Sequence, residues 1–243
     1  MALMEALGAG LILFLAALIH GLCGFAFALI AVPLLSLFCP LRIVVPLMAL
    51  LGFALNAVLF IFLRKHFLGK PLLPLLLGAL PGVLVGAKFL SHAPEGALKA
   101  LLGIILVGYG LWGLINPQPG FVLTDRWGYL FGFGAGLLGA ALNTPGPPVV
   151  IYFTLKGWSK DQVKSTLQGY FLLLLFLVIG AHLYSGLLTR IVFQKFLFFL
   201  PMVLIGLALG HYLYQFVSLR VYVRLLYILL IVAGVLNFLD LRS

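Results

Sequence analysis

An asparagine, a threonine and a glycine set among three prolines, Asn143-Thr144-Pro145-Gly146-Pro147-Pro148, interrupt a long apolar run. The pattern predicts a helix that breaks and a second, short helix that begins near Gly146. Asn143 or Thr144 then stands where a helix N-cap belongs. Pro147 falls in the first turn, where a missing N–H costs nothing. A helix start carries unpaired N–H groups and about half a unit of positive charge, which suits a small anion better than a full countercharge that would hold it too tightly. Gly146 lets such a ligand approach the backbone closely.

Other polar residues can join this site. Thr166, Gln168 and Tyr170 follow the break within another apolar run and offer side-chain donors. Cys23, Gly24 and Phe25 mark a weaker interruption early in the chain, His20-Gly21-Leu22-Cys23-Gly24, and a helix starting there would face the first break. His20 and His182 lie inside apolar runs, where titratable groups are rare and can relay protons. Lys156, Lys160 and Lys164 recur every four residues and could steer anions into a vestibule. The histidines lack metal-ligand spacing, and no phosphate-binding loop, nucleophile elbow or carboxylate pair is present. Enzymatic function, a metal and a cofactor are therefore not expected. All five acids (Glu5, Glu95, Asp125, Asp161, Asp240) fall at predicted helix ends, so neither sodium chelation nor carboxylate-driven proton coupling is indicated.

The elements that must position these residues are membrane helices. The 243-residue chain is 64% hydrophobic and 8% charged, and no soluble domain can hide that much apolar surface. Its net charge of +10 comes from residues scattered singly or in short groups between apolar runs, as in topogenic loops, so nucleic acid is not an expected partner. The lipid bilayer is. Cys23 and Cys39 suggest no disulfide framework. A secretory leader is not expected either, because Glu5 stands where a basic region would and apolar sequence continues past Ile30. Apolar runs cover 7–38, 41–63, 71–90 and 98–115, then 128–155, 163–184, 192–214 and 222–239, with a polar connection at 116–120 between the two sets.

These sets read as two homologous repeats, 1–119 and 120–243, each with a broken first helix. Gly21, Gly24 and Pro33 match Gly136, Gly139 and Pro148 at an offset of 115, and Leu80-Pro81 matches Leu200-Pro201 at 120. Repeats of this kind are typical of secondary transporters. If the first run of each half crosses once, eight segments result and the repeats are parallel. If it folds back as two short crossings, ten segments result and the repeats are inverted. Lysines and arginines divide seven to eight in the first count and nine to six in the second, which favours the inverted arrangement. The two breaks are then expected to lie at similar depth and to face each other.

The spaced glycines before the Pro-Gly-Pro-Pro break, the weaker copy in the first half and the almost loopless body resemble the TauE/SafE family of membrane exporters over essentially the whole chain. The stretch from Gly139 to Pro148, with Val149-Val150-Ile151-Tyr152 and Thr166-Leu167-Gln168-Gly169-Tyr170-Phe171, carries the resemblance. It adds Gly139 to the expected site. It implies export of sulfite or of small organosulfonates such as sulfoacetate across the cell (inner) membrane. Where the family often has a Gly-rich cluster in both copies, the first half here has Cys23-Gly24-Phe25-Ala26-Phe27-Ala28.

Together these features describe an all-α polytopic membrane protein that acts as a secondary transporter of a small anion, by alternating access at the repeat interface. The alternative is a membrane-embedded assembly or scaffold subunit without transport activity. Oligomeric state is not encoded in any feature of the chain.

Overall fold

The computed structural model describes residues 3–115, 123–156, 158, 160–214, 216 and 219–240; of these, the side chains of 3–5, 160, 161 and 219–225 are not described. The expected polar connection at 116–120 lies outside the described residues. Ten α-helices follow in order: α1 (Leu3–Cys23), α2 (Phe27–Leu35), α3 (Leu41–Leu63), α4 (Leu72–His92), α5 (Glu95–Ile115), α6 (Trp127–Leu142), α7 (Gly146–Thr154), α8 (Lys160–Tyr184), α9 (Arg190–Leu213) and α10 (Leu219–Leu239). No strand occurs among the described residues. Six helices, α1, α3, α4, α5, α8 and α9, are long and apolar enough to cross a membrane. Their outward faces carry exposed leucine and phenylalanine, as at Leu84, Phe176 and Phe198, while the helix–helix contacts bury the core.

The first run of each half folds back at its break, as in the ten-segment form, but its second segment is shorter than a crossing. Each consists of a long helix followed by a nine-residue one, α2 or α7. At about 1.5 Å per residue, nine residues reach only some 14 Å, less than half of a ~30 Å hydrocarbon core. Both short helices fold back along the helix before them. The end of α2 returns to the start of α1, so that Leu35 and Phe38 share a cavity with Ala9 and Leu13. The end of α7 returns to the start of α6, where the Leu123 N–H donates to the Leu155 carbonyl at 3.1 Å. Lys156 pairs there with Asp125, and the Phe131 and Tyr152 rings lie 5.5 Å apart.

Long helices pair across the two halves. α4 runs parallel to α6, with Gly78 against Tyr129 and Gly86 against Leu137. α9 runs parallel to α1 in the same manner, with Gly206 against Phe14 and Gly210 against Leu18. α3 and α8 are antiparallel, Leu63 lying by Ser165 and Gly52 by Leu175. α5 and α10 are antiparallel too, Gly103 lying by Phe238 and Gly110 by Tyr227. Exchanging each of the first five helices with the one five places on leaves these pairings unchanged.

A buried polar latch closes the end of α2. Ser36 Oγ donates to Asn237 Oδ1 at 2.8 Å, and Asn237 Nδ2 donates to the carbonyls of Pro33 and Ala233. Both side chains are out of contact with solvent, so the pair ties the first hairpin to the last helix. Ser36→Ala strands Asn237 Oδ1 without a donor. Thermal unfolding in detergent should show a loss of about 1–3 kcal/mol, the desolvation cost of one unpaired buried group. A melting temperature equal to the parent's would mean that the latch carries no load.

Candidate functional site

The two breaks are built alike. α1 ends when Gly24 enters the left-handed region at φ +87°, and its N–H donates to His20 O at 2.6 Å. α6 ends when Asn143 does the same at φ 52°, its N–H donating to Gly139 O and the Thr144 N–H to Leu138 O. Asn143 therefore closes the helix before the break and is not the N-cap of the helix after it. Pro145 occupies that cap position, and no side chain caps α7. The physical reason is that asparagine tolerates the left-handed conformation better than most other non-glycine residues, and the two N–H groups at the break satisfy two carbonyls at the end of α6. By this conformation the counterpart of Asn143 is Gly24, one helical turn beyond the Gly24–Gly139 match in sequence. α2 likewise begins at Phe27, two residues after the Cys23–Phe25 start expected.

The starts of both short helices meet at one cavity of about 30 Å³. That is room for roughly two water molecules. The second-half hairpin contributes Asn143, Thr144, Pro145 and Gly146. The first contributes His20, Phe25, Phe27, Ala28 and Leu29. Gly52 and Asn56 enter from α3, and Phe171 and Leu175 close the floor from α8. Two helix N-termini thus converge, each with first-turn N–H groups that have no intrahelical acceptor. Pro147 and Pro148 remove two of those donors from α7, so the backbone contribution of α2 is the larger.

Four side chains carry the polarity. His20, Asn56, Asn143 and Thr144 are 1–3% exposed. His20 Nε2, Asn56 Oδ1, Asn143 Oδ1 and Thr144 Oγ1 have no hydrogen-bond partner among the described residues. Buried groups left this way cost about 1–3 kcal/mol each, which a bound ligand or water would recover. The Phe27 N–H donates to His20 Nδ1 at 3.4 Å. That acceptor role puts the proton of a neutral imidazole on Nε2, making it a donor. Asn56 Nδ2 donates to Gly52 O at 2.6 Å, and the amide nitrogens of Asn56 and Asn143 flank Gly52 together.

Of the residues singled out from sequence, the fold brings His20, Phe25, Asn143, Thr144 and Gly146 to the cavity. It places the others behind it. Gln168 Nε2 donates to the Gly24 carbonyl, and Lys164 Nζ reaches the Leu22 carbonyl at 3.4 Å while lying over the Tyr214 ring. Both hold the C-terminal end of α1 at its break. Gly139 packs against Leu174 and Pro145 inside the second hairpin. Cys23 packs against the core beside the break. Pro147 and Tyr170 are buried without lining the cavity. His182 Nε2 donates to Ala140 O at 2.8 Å, joining α8 to the last turn of α6. Lys156 is engaged by Asp125 and the Tyr152 ring, and the Lys160 side chain lies outside the described residues. Asn56, which like His20 is a polar residue inside an apolar run and reads from the sequence as a hydrogen-bonded structural one, also lines the cavity, and Gly52 is a lining residue that sequence reasoning missed.

No group of His, Cys, Asp or Glu among the described residues has metal-holding geometry. Searches of curated proteins and of solved structures returned no match. The family model described as sulfite exporter TauE/SafE matches residues 9–236, nearly the whole chain. A multi-pass helical body agrees with that match, and the chain belongs to the TauE/SafE family of sulfite exporters.

Proposed function

We propose that this protein exports a small sulfur oxyanion, sulfite in preference to sulfoacetate, from the cell across the inner membrane. The observation that carries the reading is the single cavity where two half-helix starts meet four unpartnered polar side chains. Sulfite has four heavy atoms and needs little more than the space present. Sulfoacetate has additional carbon and a second acid group, and needs a wider opening.

The halves 1–119 and 120–243 are inverted repeats in this proposal. The antiparallel α3–α8 and α5–α10 pairs and the exchange-invariant helix contacts support it. Transport proceeds by alternating access, the hairpin tips rocking about a substrate held at the repeat interface.

Substitution at Asn143 tests the site. Asn143→Gly keeps the left-handed backbone and removes the amide. It should weaken sulfite binding by about ten- to a hundred-fold, the equivalent of one hydrogen bond to a charged ligand at roughly 1.5–3 kcal/mol, without lowering the ligand-free melting temperature. Asn143→Ala should lose affinity and, in addition, some stability, because alanine keeps the Cβ in the left-handed region without the short polar side chain that makes asparagine tolerated there. Titration of each purified variant, its melting curve and its sulfite flux in proteoliposomes supply the three readings. Unchanged affinity and flux in Asn143→Gly would leave the break as architecture alone.

A further inference from the structure

We infer that the cavity takes its anion singly charged and still carrying a proton, as hydrogen sulfite and not as the sulfite dianion. This rests on reading the cavity as the transport site, and it adds the charge and protonation state of the substrate.

Charge is the first ground. None of the residues lining the cavity is Lys, Arg, Asp or Glu. Its donors are neutral: the hydroxyl of Thr144, the Nε2–H of His20, the amides of Asn143 and Asn56, and backbone N–H groups. Desolvation cost rises with the square of the charge, so a dianion pays about four times what a monoanion pays to enter. Two helix starts, each worth about half a unit of charge, balance one negative charge but not two.

Hydrogen-bond character is the second, independent ground. The Oδ1 atoms of Asn56 and Asn143 are buried, unpartnered acceptors on two residues that line the cavity together with the donors. Against a fully deprotonated oxyanion they would set oxygen lone pairs against oxygen lone pairs. An ion with an O–H gives one of them a donor while its remaining oxygens take the N–H and O–H groups. Neutral acceptors beside neutral donors are complementary to a hydroxylated monoanion.

Protein groups that could mimic such a pH dependence must be separated from the ligand. Among the described residues, His20 lines the cavity, and Lys164 on α8 is close enough to act electrostatically on His20 and on His211 of α9. His182 is bound to Ala140, and Lys156 to Asp125. Arg42 at the far end of α3 donates to the carbonyls of Leu90 and Ala93.

The experiment is a titration of the purified full-length protein with sulfite across the pH range in which that ion takes up its proton. Sulfate is the constant dianion and nitrate the constant monoanion. Sulfite affinity, expressed per total sulfite, should fall about tenfold per pH unit above the ion's protonation pH and be flat below it. Nitrate, a monoanion without an O–H, should compete more weakly than hydrogen sulfite and independently of pH, sulfate should fail to compete, and His20→Gln should lower sulfite affinity at every pH while keeping the slope of the profile. Sulfite affinity that is flat or rises with pH, sulfate competition, or a profile abolished by His20→Gln would overturn the inference. Loss of sulfite binding at every pH would instead overturn the site itself, as would binding indifferent to Asn143→Gly.

Discussion

Gly146→Leu should abolish sulfite flux in proteoliposomes while the protein still inserts and melts near the parent temperature. Gly146 is the first residue of α7 and lines the cavity from the second hairpin. A Cβ there meets Leu29 Cδ1 at 3.6 Å and Phe25 at 3.9 Å, ordinary van der Waals contacts, so the backbone accepts a side chain. The three further carbons of leucine must then occupy a space of about 30 Å³ that holds roughly two waters, which leaves none for an anion. Gly146→Ala should bind sulfite more weakly yet still transport it. Flux and melting temperature measured on both variants check the argument. Normal flux in Gly146→Leu would make the glycine a bend residue only.

Gly82→Leu and Gly210→Leu should yield almost no folded protein. An added Cβ at Gly82 falls within the van der Waals shell of the Phe133 carbonyl oxygen, and one at Gly210 within that of Leu18. The obstruction is backbone in both cases, so no rotamer change relieves it. The helices themselves must separate. Overpacking accommodated by side chains costs about 1–3 kcal/mol. Parting a close glycine-mediated helix pair costs more, because apolar lipid supplies no hydrophobic drive to hold the helices together once their packing is lost. Gly8→Ala and Gly108→Ala are the controls, since nothing lies within 4 Å of a Cβ at either position. Size-exclusion profiles in detergent distinguish the two groups, and a monodisperse Gly82→Leu peak at the parent's yield would contradict the packing argument.

Hydropathy made the helices legible, and the proline-rich break made the second hairpin legible as an interruption. The meeting of both breaks at one cavity also follows the expectation drawn from their matched positions. What the sequence hid was the depth of the return, since each returning helix has only nine residues, too few for a crossing. A nine-residue segment after a left-handed turn has the same composition as half of a crossing helix, and only its contacts with Ala9 and Leu13 distinguish the two. Asn143 was ambiguous for a chemical reason: asparagine is favoured both at an N-cap and in the left-handed position that closes a helix. Gln168 carried the right donors, but the Gly24 carbonyl claims its amide nitrogen, a pairing between residues 144 positions apart. Phe171 and Leu175 line the site as apolar floor, and one more phenylalanine or leucine in such a chain carries no signal.

The crossed pairing of helices also bears on how the chain comes into being. During synthesis α4 is complete long before α6 leaves the ribosome, and α1 waits longer still for α9. Until then the grooves along Gly78, Gly82 and Gly86, and along Gly21, have no helix to fill them and must be covered by lipid or by the insertion machinery. Membrane entry and tertiary packing are therefore separated in time, helix by helix. The first five helices are threaded as guests of the bilayer, and the second five, as they arrive, lock them in place.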